Sequence, residues 1–163
     1  MPPPVLVASA EDASTLTRSI PPGVDLLMQE FWPGGVTVIL ESSPDVEWDL
    51  GDTGGTVAIR MPDHPVALDL LRVSGPLAVS SANLTGQHSA VTVTEAYEQF
   101  ADALEVYIDA GQVGQAYADA PGNPGSTIVD ASNLDSGRPW RVVRAGVVPY
   151  EDIQAVTGGV WEQ

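Results

Sequence analysis

The chain has 163 residues, 44% of them hydrophobic and 17% charged, enough for one domain with a real core and too apolar for a disordered chain. Its 22 acids against six basic residues give a formal net charge of −16, which excludes binding a nucleic-acid backbone through the overall field; an RNA contact would have to be local or supplied by another chain. The absence of Cys excludes disulfides, thiolate catalysis and Cys-built zinc sites, and no apolar run approaches the ~20 residues that cross a bilayer, so the expectation is a cytoplasmic protein with no membrane partner.

Val5–Ala8 reads as a short buried strand behind a three-proline opening, which looks like a segment inside a larger domain whose first strands are missing. Left without a neighbour, Val5–Ala8 would be an exposed sheet edge. Ser9 starts a helix, with Asp12 three residues on in a capping-box-like arrangement, and that helix runs to about Ser19. Val24, Leu27, Met28 and Phe31 have helical spacing and predict a second helix over Val24–Phe31. Trp32-Pro33-Gly34-Gly35 is a turn, and Val36–Leu40 is a strand.

Ser42–Gly55 is polar and rich in Gly and Asp, a loop that Trp48 would anchor. Thr56–Arg60 is a strand, and Pro65 opens a helix that runs to about Val73 and ends at Gly75. Leu77–Ser80 is predicted as the central strand. Thr94–Leu104 is a helix with Ala96, Tyr97, Phe100 and Leu104 on one face, and Val106–Asp109 is a strand. Gly111–Gly125 is a long loop, Ser126–Asp130 and Trp140–Arg144 are strands, and Tyr150–Val156 is a closing helix. Alternating helices and strands predict an α/β fold, an open, twisted sheet of mixed parallel and antiparallel strands with flanking helices, in one domain over residues 1–163.

The chemistry concentrates in two kinds of residue. In Pro76–Gly86, reading PLAVSSANLTG, an apolar run stops at Ser80-Ser81-Ala82-Asn83. Two hydroxyls and an amide delivered into a turn can cradle phosphate or carboxylate oxygens without adding charge; the same residues also serve as local caps and Asx-turns. All six cations are arginines: Arg18, Arg60, Arg72, Arg138, Arg141 and Arg144. Arg60, Arg141 and Arg144 adjoin apolar strand-like runs, where a guanidinium either pairs with a carboxylate or receives an anion in a cleft. His64 and His88 read as ordinary loop residues, and no metal-ligand cluster is evident.

Six stretches, in order, resemble the YrdC-like threonylcarbamoyl-AMP synthase family: FWPGGVTVIL (Phe31–Leu40), TVAIRMPDHP (Thr56–Pro65), PLAVSSANLTG, YIDAG (Tyr107–Gly111), GSTIVD (Gly125–Asp130) and VVRAG (Val142–Gly146). The resemblance implies an enzyme that joins L-threonine, bicarbonate and ATP, with Mg2+, into threonylcarbamoyl-adenylate and pyrophosphate. The product would feed a downstream tRNA threonylcarbamoyl transferase machinery, and double-stranded RNA is a further implied partner. Carried over by motif, ATP would be held by Thr56, Ser81, Asn83, Ser89 and Arg144. Threonine would be held by Arg60, Val79 and Ser126, with Val79 contributing backbone. No side chain is implied as a nucleophile, since nucleotidyl transfer needs positioning and charge neutralisation.

Three departures stand out. The family's R-P-G motif reads Arg144-Ala145-Gly146 here, and Gly125 stands where the family often has Pro. The K-x-R motif whose cations neutralise ATP phosphates in the family is absent, and the chain contains no Lys. The alternatives kept open are a non-catalytic nucleotide- or double-stranded-RNA-binding module of the same fold, or an inactive fragment. The related domain of hydrogenase-maturation carbamoyltransferases belongs with Cys-rich metal sites, which this chain lacks.

Overall fold

The computed structural model describes residues 3–49, 51–114, 125–159 and 161–162. The chain divides into two compact units, one formed by Met1–Val79 with Ala120–Gln163, the other by Ser80–Asp119.

The first unit is built on a six-stranded sheet of β1 (Val5–Leu6), β2 (Val36–Glu41), β3 (Thr56–Arg60), β4 (Leu77–Ala78), β5 (Thr127–Asp130) and β6 (Arg141–Arg144), in the order β4-β1-β3-β2-β5-β6. β1 runs parallel to β3 and β2 parallel to β5, while the β1–β4, β2–β3 and β5–β6 pairs are antiparallel. This is the mixed, open α/β sheet that the alternation of elements predicts.

One face of the sheet is the core. Val5, Val36, Val38, Val57, Ile59 and Val129 are buried against α1 (Ala10–Leu16), α2 (Val24–Phe31) and α5 (Tyr150–Thr157), through Ala13, Leu16, Val24, Leu27, Met28 and Ile153. Each fully buried Leu or Ile contributes about 1.5–3 kcal/mol of transfer free energy. Trp140 and Trp161 stack at 5.5 Å, and Tyr150 meets Trp161 edge-on at 5.2 Å, so the last residues pack onto the same core. Gly23, at φ +88°, caps α2 where any Cβ would press on the Trp140 ring at 3.1 Å.

Several boundaries differ from expectation, each for a long-range reason. Ser9 caps α1 by accepting from Asp12 N at 3.0 Å, as expected, but the helix stops at Leu16. Thr17 turns extended to bridge Ser42, and Arg18 N donates to Glu41 O at 3.0 Å, so sheet pairing outcompetes the last helical turn. β1 is no edge: β3 and β4 flank it, and Val5 and Val7 are fully buried. β4 is the edge instead, two residues long, and not the central strand. Trp48, expected to anchor the loop, is 44% exposed, and Val46 is the loop residue that packs against the core among those described. The strand predicted from Trp140 begins at Arg141, because Trp140 pairs in an isolated bridge with Trp161.

The second unit contains α3's successor in the chain. After α3 (Pro65–Ser74) and β4, the helix α4 (Val93–Phe100) is capped by Thr92, whose hydroxyl accepts from Glu95 N at 3.2 Å. It is followed by a 3-10 turn over Ala101–Ala103, so the predicted helix to Leu104 tightens early. Of the residues read onto one face of this helix, Tyr97 and Leu104 are exposed. Val106–Asp109 forms no strand: it pairs with none among the described residues, and Val106 and Ile108 are exposed. Tyr107 holds the segment instead, donating its hydroxyl to Ala101 O at 2.7 Å and meeting the Tyr97 ring at 5.4 Å. The expected loop over Gly111–Gly125 lies outside the described residues at 115–124.

Candidate functional site

In β3 the buried Val57 and Ile59 alternate with Thr56, Ala58 and Arg60, which therefore lie on the sheet face away from the core. The register carries that face across the neighbouring strands. Leu6 pairs with Arg60, Thr37 with Ile128, and Ile128 with Arg144. Strand directions then bring the end of β3, the start of β2, the start of β5 and the end of β6 to one edge of this face.

Backbone turns lock that corner. Trp32–Pro33 is a cis peptide bond, and Gly34 follows so tightly that a Cβ would overlap the Phe31 carbonyl oxygen. Gly34 N donates to Met61 O at 2.8 Å, while Gly34 O accepts from Arg60 Nε at 2.8 Å. Gly35 O accepts from Thr127 N at 2.9 Å. Across the same corner, Thr37 Oγ1 and Ser126 Oγ lie 2.7 Å apart, both buried. Arg144 donates from Nε at 3.1 Å and Nη2 at 2.8 Å to Ser126 O, and from Nη2 to Ser126 Oγ at 3.1 Å. Gly146 makes this approach feasible, because a Cβ there would overlap the backbone of Gly125, Ser126 and Thr127.

The electrostatics separate the arginines. Arg18 pairs with Glu41, Arg72 with Asp69, and Arg141 with Asp130 at 2.8 Å. Burial would raise the Asp130 carboxyl, but hydrogen bonds from Ser132 and Arg141 and the Arg141 charge outweigh it and hold Asp130 below the usual carboxylate value. Arg144 has no carboxylate within ion-pair distance among the described residues, and burial pulls its guanidinium below its ordinary value. A partly desolvated cation without an acid is the arrangement that favours an incoming anion.

The structure thus gathers Arg60, Ser126 and Arg144 around the Gly34–Gly35 turn. It does not bring Thr56 to them: Thr56 sits at the opposite end of β3, its hydroxyl donating to Thr53 O at 2.8 Å. Val79 follows the edge strand, its N–H given to Pro4 O at 2.9 Å. Ser81, Asn83 and Ser89 belong to the second unit. There Ser89 Oγ donates to Asn83 Oδ1 at 3.0 Å, Asn83 Nδ2 donates to Leu84 O at 3.1 Å, and Asn83 N donates to Ser81 O at 2.9 Å. Gln99 on α4 ties the turn down by accepting from Leu84 N and donating to His88 O. Asn83 bonds locally as a turn residue, and Ser81 lines a cavity of about 400 Å³ with Ala90, Val91, Phe100, Leu104 and Tyr107. Sequence reasoning missed Thr37, a strand residue whose partner is 89 positions away; the one available signal was a hydroxyl inside an otherwise apolar strand.

Comparison with known proteins agrees with the geometry. Residues 1–146 match the model of the Sua5, YciO and YrdC family, described as telomere recombination. A Mycobacterium tuberculosis protein provisionally named threonylcarbamoyl-AMP synthase is 44% identical over 97% of this chain and 68% of its own length. The threonylcarbamoyl-AMP synthase of Pyrococcus abyssi is 34% identical over 94% of this chain, and the chain spans 42% of that protein. The crystal structure of Pyrococcus abyssi Sua5 complexed with L-threonine superposes with a TM-score of 0.83 at 32% identity, covering 98% of this chain and 44% of that one. A match over most of the sequence and a shared mixed sheet establish that this chain belongs to the Sua5/YciO/YrdC family.

Proposed function

We propose that this chain carries a threonylcarbamoyl-AMP synthase activity. It forms threonylcarbamoyl-adenylate and pyrophosphate from L-threonine, bicarbonate and ATP in the cytoplasm, ahead of a tRNA threonylcarbamoyl transferase. The observation that carries this reading is the corner where Arg60 bonds the Gly34 carbonyl and Arg144 bonds Ser126 beside Thr37, on the sheet face opposite Val57 and Ile59. Arg60 and Ser126 would receive the threonine carboxylate, with Val79 backbone alongside. Thr56, Ser81, Asn83, Ser89 and Arg144 would hold ATP.

In this reading the threonine amine captures bicarbonate-derived carbon dioxide, and the carbamate oxygen attacks the α-phosphorus with pyrophosphate leaving. The protein's part is orientation and charge neutralisation. Among the described residues no three His, Asp or Glu side chains converge as a metal cage. Mg2+ would therefore arrive on the triphosphate, held by phosphate oxygens and water, its usual mode. No helix is long and apolar enough to cross a membrane among those residues.

The test is pyrophosphate release from ATP with and without L-threonine and bicarbonate. Release that depends on both substrates is the expected result; release indifferent to threonine overturns the reading. A binding-only module is the second reading. It is favoured by Arg144 spending Nε and Nη2 on Ser126. ATP binding without turnover, unrelieved by supplying a K-x-R segment from a relative, would select it. Binding to double-stranded RNA, with a net charge of −16 against it, would be local and steeply salt-dependent.

A further inference from the structure

The second unit holds a strand-like segment with nothing paired beside it. Leu104 leaves the 3-10 turn in extended backbone, and Val106–Asp109 beyond it is neither helix, turn nor sheet. No backbone N–H or C=O of Val106–Asp109 meets a hydrogen-bond partner among the described residues. The segment is held by side chains instead, since Tyr107 spends its hydroxyl on Ala101 O and its ring on Tyr97. Such a segment keeps its main-chain donors and acceptors open to an incoming strand.

The side chains at alternate positions divide by chemistry. Leu104, Val106, Ile108 and Ala110 line the same cavity as Ser81. Val106 is 74% exposed and Ile108 is 53% exposed, so this apolar row is uncovered. Between them stand Glu105 and Asp109, exposed like Glu98 and Asp102 nearby, and none of the four forms an ion pair among the described residues. Ser80–Asp119 contains no Arg or Lys to neutralise them.

We propose that Val106–Asp109 is an edge for strand addition, which takes an extended segment of a partner polypeptide in which apolar residues alternate with Lys or Arg. The partner's main chain supplies the missing ladder bonds, its apolar side chains cover Val106 and Ile108, and its cations face Glu105 and Asp109. A second copy of this chain fits poorly, because antiparallel self-pairing about Tyr107 sets Glu105 of one copy against Asp109 of the other. The inference does not rest on the proposed threonine or ATP contacts.

The probe is a short capped peptide of alternating Val and Lys, titrated against the full chain by fluorescence anisotropy, with amide hydrogen exchange read along Val106–Asp109. Binding that slows exchange at Val106–Asp109 is the expected result. The same peptide N-methylated throughout keeps its charges and loses every main-chain donor; it is expected to bind at least roughly 10-fold more weakly, the loss of about two main-chain hydrogen bonds. The double variant Glu105→Gln, Asp109→Asn is expected to weaken the Val-Lys peptide roughly 3- to 10-fold, the range for two exposed ion pairs. A Val-Glu peptide is expected not to bind. No binding of the Val-Lys peptide, equal binding of its N-methylated or Val-Glu counterpart, or binding without slower exchange at Val106–Asp109 overturns the proposal. Exchange already slow in the free chain overturns it too: sedimentation as a dimer would then make a second copy the occupant, and as a monomer would mean that the chain covers its own edge.

Discussion

The corner around Ser126 and the turn around Asn83 use the same residue types and solve different problems. At the corner Thr37 and Ser126 are buried, their bonds tie segments distant in sequence, and two partly buried arginines supply charge. In the turn Ser81 and Ser89 are exposed, the bonds run to near neighbours, and Ser80–Asp119 contains no Arg or Lys. The first region is organised before any ligand arrives. The second offers hydroxyls and an amide with no cation of its own in the sequence. A motif match alone does not distinguish the two; the hydrogen-bond partners do.

The sharpest way to break the contrast is with glycines. Gly146→Ala places a Cβ into the backbone of Ser126 and Thr127 and is expected to cost more than about 3 kcal/mol, or to prevent folding. Gly86→Ala in the second unit, at φ +84° in open space, should cost about 1 kcal/mol from backbone strain. Chemical denaturation of both variants compares them directly, and equal losses would show that the corner is no more tightly built than the turn.

Side-chain removal gives the next largest effect. Arg144→Gln strips the fork from a buried carbonyl and hydroxyl and is expected to cost about 1–3 kcal/mol of stability along with most threonine-dependent pyrophosphate release. Asn83→Ala should change stability by less than about 1 kcal/mol while still weakening ATP binding. If Asn83→Ala leaves ATP binding intact, the turn is a turn and nothing more.

The smallest effect is a pH dependence at the other end of β5 and β6. Asp130 is held below its ordinary pKa in the folded chain, so the unfolded chain takes up its proton first as pH falls. Its stabilisation is complete above about pH 5 and is lost progressively below about pH 4, as the folded value is approached. Denaturant midpoints between pH 3 and 6 should fall less steeply for Asp130→Asn than for the parent chain. Parallel curves would mean that Arg141, on an exposed surface, adds nothing through Asp130.

The sequence showed the local elements and hid the distant ones. α2 and β3 match their expected bounds because Gly23, the Trp-Pro-Gly-Gly turn and the Arg60–Pro62 break are written into adjacent residues. Arg60, Ser126 and Arg144 were reachable through motif resemblance. Thr37 was not, since its role depends on a parallel pairing that closes only after β5 is in place. The edge position of β4 and the missing strand at Val106–Asp109 share that cause. An apolar alternation specifies which face of a strand is buried, not whether a neighbour exists to pair with it.

The Gly34–Gly35 turn has a mechanical consequence. It takes one hydrogen bond from the Arg60 side chain and another from the Thr127 backbone, while its own N–H is held by Met61. Because Arg60 spends Nε on this bond, the rest of its guanidinium is aimed by the turn rather than by the strand alone. The two glycines thus brace the ends of β3 and β5 against one point, one through a side chain and the other through backbone.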